Sequence, residues 1–142
     1  MLDNPIDHYM VRDMDLIREI LLYAEKYCNG EDYRPVIRKK FLDTKYHSVG
    51  RLKLYEHIRL AKEHGLIEVT GSSGGYHFRR LTWNGHDFLD NSRSPEVWNA
   101  AKKVAGGMSF TVFCNVLTQL ATERGTELLK SGYSALTAAM GS

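Results

Sequence analysis

The chain has 142 residues, 43% hydrophobic and 25% charged, with a net charge of +2. That composition supports one soluble domain with a single core, argues against long disorder, and contains no run as long as a membrane span. The start, Met1-Leu2-Asp3-Asn4-Pro5, lacks the basic and apolar regions of a secretory signal, so a cytoplasmic location is expected. Cys28 and Cys114 lie far apart without metal-ligand or redox spacing and read as small buried thiols.

In chain order, Leu16, Ile17, Ile20, Leu21 and Ala24 recur at helical spacing behind the acids Asp13 and Asp15, which predicts an amphipathic helix over 13–27 stopped by Asn29-Gly30. Residues 33–42 suit either a short helix opened by Pro35 or an edge strand through Val36, Ile37 and Phe41; the short helix is preferred. From Ser48 to His64, Leu54, Ile58, Ala61 and Gly65 form one helical stripe, with Tyr55, Arg59 and Lys62 to one side of it. Gly65 can end that helix in a left-handed conformation, after which Leu66, Ile67 and Val69 favour an extended chain. Gly71-Ser72-Ser73-Gly74-Gly75 reads as a hairpin tip and residues 76–81 as the returning strand. Thr82 can cap a helix over 82–91 that carries Trp83, Phe88 and Leu89. Ser94-Pro95-Glu96 opens another with Val97, Trp98, Ala101 and Val104, and Gly106-Gly107 breaks it. Ser109 can cap a longer helix whose Phe110, Phe113, Val116, Leu117 and Leu120 form a stripe, for the chain's own core or for a homodimer through helix 109–122. Residues 131–142 are small and polar and read as a flexible tail after a single domain over 1–130.

Helix, stop, strand, glycine-rich turn, strand, helix is the order of a winged helix. The expected class is therefore α+β, mainly α: a winged helix-turn-helix with a two-stranded wing and extra C-terminal helices. Charge is distributed to match. Residues 34–62 hold nine bases against two acids, a net +7, while the rest of the chain sums to −5. Such a segment suits a phosphate-facing surface, although it also suits a scattered solvated face. On the nucleic-acid reading, Arg51, Tyr55, Arg59 and Lys62 meet the groove and Arg38, Lys39, Lys40 and Lys45 meet phosphates. Arg79 and Arg80 are further candidates, expected to point to opposite faces of the returning strand. Two features weigh the other way: the wing tip carries no base, and Glu56 and Glu63 share the helix.

Six histidines raise metal binding and catalysis. No pair has the close spacing of a ligand motif, and no nucleophile with a base can be assembled, so neither a metal, a cofactor nor an enzyme is expected. His57 and His86, flanked by apolar residues, are expected to be partly buried and hydrogen-bonded to backbone.

The blocks Arg12-Asp13-Met14-Asp15-Leu16-Ile17-Arg18, His57-Ile58-Arg59-Leu60, Gly65-Leu66-Ile67, Leu81-Thr82-Trp83-Asn84-Gly85-His86-Asp87-Phe88-Leu89-Asp90, Val97-Trp98 and Gly107-Met108-Ser109-Phe110 resemble a family of small bacterial and phage proteins of unknown function. The resemblance runs from about Tyr9 to Leu120. It implies a winged-helix-like fold and a prophage or mobile-element setting, and it transfers no functional residue. The Leu-Thr-x-x-Gly turn also resembles that of antibiotic-resistance-type and phenolic-acid-type winged-helix repressors. The chain departs from the family in its more basic segment 34–45 and in Ala61, where a larger aliphatic is usual. Two partners are thus expected as alternatives: nucleic acid, duplex DNA first, or a host protein such as a defence complex that this chain would inhibit. No membrane partner is expected.

Overall fold

The computed structural model describes residues 11–35, 50–72 and 75–140. In chain order they form α1 (Met14–Tyr27), β1 (Arg34–Pro35), α2 (Arg51–Glu63), β2 (Ile67–Ser72), β3 (Gly75–Leu81), α3 (Trp83–Ser92), α4 (Pro95–Ala105) and α5 (Phe110–Met140). The class is α+β and mainly helical, with one antiparallel sheet in the order β1-β3-β2. The chain divides into two compact units, Met1–Leu89 and Asp90–Ser142.

In the first unit the helical stripes become the core. Leu16, Ile17, Ile20, Leu21 and Ala24 of α1 are buried, as are Leu54, Ile58 and Ala61 of α2 and Ile67, Val69, Phe78 and Leu81 of the hairpin. Tyr23 meets Phe78 edge to face at 5.7 Å. Asp13 caps α1 by accepting from the Leu16 amide at 3.2 Å. Gly65 ends α2 with φ +67°, open to glycine and strained for other residues.

The next joint is the most constrained of the unit. The Thr82 hydroxyl donates to the Gly65 carbonyl and accepts from the Gly85 amide at 3.0 Å, so one atom closes the α2–β2 turn and caps α3. The Thr82 amide donates to the Leu66 carbonyl at 3.2 Å. Gly85 fits because a Cβ there would overlap that same Leu66 carbonyl oxygen. The Leu-Thr-x-x-Gly spacing is thus a packing requirement.

Several expectations are corrected here. Arg34 and Pro35 are strand, paired with Phe78 and His77, rather than the start of a helix; Pro35 has no amide to donate and suits an edge. Residues 36–42, and Ser48 at the expected start of α2, lie outside the described residues. On β3, Arg80 pairs with Glu68 but Phe78 pairs with Val69, leaving Arg79 as an extra residue in a bulge. Strict alternation therefore fails, and Arg79 and Arg80 both reach Glu68 instead of pointing to opposite faces. His86 is exposed, not partly buried, and Trp83 is 82% exposed because it sits on the outer side of the first turn of α3.

In the second unit, Ser94 caps α4 (Val97 amide to Oγ, 3.4 Å) with Pro95 in the first turn. Ser109 caps α5 in the same way at 3.2 Å. Val97, Trp98, Ala101 and Ala105 of α4 are buried, as are Phe110, Phe113 and Leu117 of α5, and Trp98 meets Phe113 edge to face at 5.5 Å. Part of the α5 stripe thus packs in the chain's own core. Ala105, not Val104, faces inward; Val104 is exposed. α5 continues to Met140, so the stretch expected as a flexible tail is helical to that residue.

Candidate nucleic-acid interface

The outward face of α2 and the adjoining hairpin hold most of the described candidates. Arg51 is exposed, and its guanidinium carbon stands 5.2 Å from the centre of the Tyr55 ring. Tyr55 in turn meets Tyr76 of β3 edge to face at 5.3 Å. A cation is thereby fixed on an aromatic pair that joins α2 to the sheet. Burial is the main cause that pushes the Tyr76 hydroxyl above its ordinary range, and the charges of Arg59, Glu56 and Glu63 act on it as well. Lys62 is exposed in the last turn of α2.

Arg59 has a different situation. Its Nε donates to Glu56 Oε2 at 3.1 Å, its Nη2 to Glu56 Oε1 and its Nη1 to Glu63 Oε1. The bidentate hold keeps the Glu56 carboxyl below the usual carboxylate range and raises Arg59. Leu52 stands on this face at 67% exposure.

Arg79 and Arg80 form a second group at the bulge. Arg79 Nε donates to the Gly30 carbonyl at 3.0 Å, and its own carbonyl accepts from the Gly30 amide at 3.1 Å. Its guanidinium lies 5.9 Å from the Tyr33 ring centre. Glu68 Oε2 lies 3.1 Å from Arg80 Nε and 3.6 Å from Arg79 Nη1. Arg79 thus secures the loop before β1, while Arg80 pairs with Glu68 within the hairpin. Arg38, Lys39, Lys40 and Lys45 lie outside the described residues.

Behind the face, His57 is fully buried. Its Nδ1–H donates to the Lys53 carbonyl at 2.8 Å and its Nε2 accepts from the Asp13 amide at 2.8 Å. Both ring nitrogens are used by the neutral form, and burial pushes the imidazole below its ordinary range. The Asp13 carboxylate also pairs with Lys53 at 3.3 Å, so the first block of the sequence ties α1 to α2. Sequence reasoning expected His57 to be partly buried and hydrogen-bonded to backbone but did not identify its amide donor, Asp13, at the N-cap of another helix. It also missed Tyr76 as the aromatic partner of Tyr55, because that pairing needs the hairpin folded against α2.

Among the described residues no group of three His, Cys, Asp or Glu gathers as a metal site, and no helix is long and apolar enough to cross a membrane. Both cysteines are unpaired and half-buried; burial pushes both thiols up, Cys114 to about 11.

Residues 11–110 match the family described as "Hypothetical protein (DUF2513)", and the chain belongs to that family. It is 30% identical over 116 residues to an "Uncharacterized protein" of Haemophilus influenzae, covering 79% of this chain and 92% of that relative. No solved structure matches the chain.

Proposed function

We propose that the unit Met1–Leu89 is a winged helix that binds nucleic acid, duplex DNA first, and that the protein is a small non-enzymatic regulator from a phage or mobile element. The order α1-β1-α2-β2-β3 with the sheet order β1-β3-β2 supports the winged-helix reading. The observation that carries the binding reading is the Arg51–Tyr55–Tyr76 stack, with exposed Lys62 on the same helix. It presents a fixed guanidinium and an ammonium from the helix that precedes a hairpin, the place from which a recognition helix enters a groove. Fold alone would not carry this reading.

The test is fluorescence anisotropy of a labelled mixed-sequence duplex at about 50 mM and about 200 mM salt, where each phosphate contact contributes roughly 0.9 to the logarithmic slope. The expected result is binding that weakens steeply with salt. The double variant Arg51→Ala/Lys62→Ala is expected to bind roughly tenfold or more weakly, with a slope shallower by about one to two. No binding at low salt overturns the reading.

A second reading, a host protein as partner, is favoured by a different observation: Leu52 and Trp83 are exposed at 67% and 82%, and such side chains serve as anchors in protein interfaces. On that reading Leu52→Ser and Trp83→Ser abolish capture of the partner, whereas Arg51→Ala/Lys62→Ala leaves weak duplex binding little changed.

A further inference from the structure

We infer that Glu56 and Glu63 form a charge clamp that withholds Arg59 from phosphate, so that α2 discriminates against generic duplex. The inference rests on the reading of α2 as a nucleic-acid-binding helix.

Glu56 precedes Arg59 by three residues and Glu63 follows it by four, so all three share a helical face. Nε, Nη1 and Nη2 of the guanidinium are each engaged by a carboxylate oxygen, so Glu56 fills the Nε/Nη2 edge and three of the five N–H donors are in use. The triad carries a net −1 on a helix whose other charges, Arg51, Lys53 and Lys62, are positive. It lies beside the Tyr55–Tyr76 pair, since its three charges act on the Tyr76 hydroxyl. An approaching phosphate therefore meets a carboxylate on either side of Arg59.

The clamp is placed where it can open. The side chains of Arg59 and Glu63 are 43% and 54% exposed, and surface pairs of this kind add little to folding. A phosphate, or the O6/N7 edge of a guanine, offers the same two-pronged geometry that Glu56 supplies. A target that places such an acceptor at Arg59 exchanges one bidentate partner for another, and a target that does not meets only the repulsion. Discrimination of this type weakens the wrong partner more than it strengthens the right one.

The experiment is a cycle on the full chain: native, Arg59→Ala, Glu56→Gln/Glu63→Gln, and the triple variant, each titrated with the same mixed-sequence duplex across a salt series. The glutamine pair is expected to bind roughly three- to tenfold tighter at about 100 mM salt, with a slope steeper by about 0.9. Arg59→Ala is expected to cost several-fold more in the glutamine background than in the native one. An equal cost in both backgrounds, or a gain that survives Arg59→Ala, would mean that only net charge changed and overturns the clamp. If the native chain does not bind but the glutamine pair does, through Arg59, native duplex binding falls and the clamp stands; if none of the four binds, both fall. Glu63→Gln alone, at a position more than half exposed, repeats the comparison should the pair variant fail to fold.

Discussion

The unit Met1–Leu89 and the unit Asp90–Ser142 differ in the polar groups that hold their elements together, part-buried in the first and exposed in the second. In the first, single polar groups serve two elements each: the Thr82 hydroxyl spans the α2–β2 turn and the start of α3, His57 links α1 to α2, and Arg79 links β3 to the loop before β1. In the second, α4 and α5 meet through Trp98 and Phe113 among buried apolar side chains, Ser94 and Ser109 cap their own helices, and the polar links between elements, Glu96–Arg124 and Asn91–Thr118, lie at the exposed surface. The difference predicts that the first unit is sensitive to the removal of individual atoms and the second to the loss of apolar volume.

The largest effect is expected where volume matters most. Phe113→Ala removes a fully buried ring and should cost about 3–5 kcal/mol, read by urea denaturation together with hydrogen exchange in α4 and α5. A loss under about 1 kcal/mol would show that this face is not the core of its unit. Next is Gly85→Ala, which adds one carbon against the Leu66 carbonyl and should cost about 2–3 kcal/mol, an overpacking penalty at a joint that backbone holds on both sides. A neutral result would mean that α3 can shift away without loss, which would break the contrast between the units.

Thr82→Val keeps the shape and deletes the doubly used oxygen; a loss of about 1–2 kcal/mol is expected, with Thr82→Ser retaining most of the native stability. Equal losses for the two variants would locate the effect in packing. The smallest effect concerns pH. His57 titrates lower in the folded chain than its ordinary 6.5, so the unfolded state takes up the proton first. The stability held by neutral His57 is fully present above that value and is lost as pH falls below it. Urea midpoints at about pH 7.5 and about pH 5.5 should differ less in His57→Gln than in the native protein. The same difference in both would assign the dependence elsewhere. The charged groups facing the ring are the Asp13 carboxylate, the Lys53 ammonium and the Glu56 carboxylate.

The contrast also explains what could be read from the sequence. Gly65, Ser94 and Ser109, and Thr82 in its bond to Gly85, act within a few residues of themselves, so their roles as stop and caps were legible; the bond of Thr82 to Gly65 was not. The bulge at Arg79 was not, because a bulge is a relation between two strands and leaves no mark within one. For residues 33–42 the edge strand ranked second to a short helix, because Arg34 and Pro35 are strand only by virtue of Phe78 and His77, far along the chain. His86 was misplaced for a related reason: helical spacing defines a stripe, and its exact edge depends on what packs against it. At the candidate site the residue types on α2 were legible, and Glu56 and Glu63 were visible as opposing charges. That they engage Arg59 through three of its nitrogens needed the side-chain geometry.

The Thr82–Gly85 joint also bears on descent. Serine can both donate and accept at position 82, aspartate accepts but has no proton to give, and valine does neither; position 85 admits no side chain beyond hydrogen. Arg51 and Lys62, by contrast, are exposed and bear no such joint, so they can drift as targets change. Diverging lineages of this family would then keep Thr or Ser, two variable residues and Gly after the hairpin while exchanging their basic residues, so ancestry would be written in the joint and specialisation on α2.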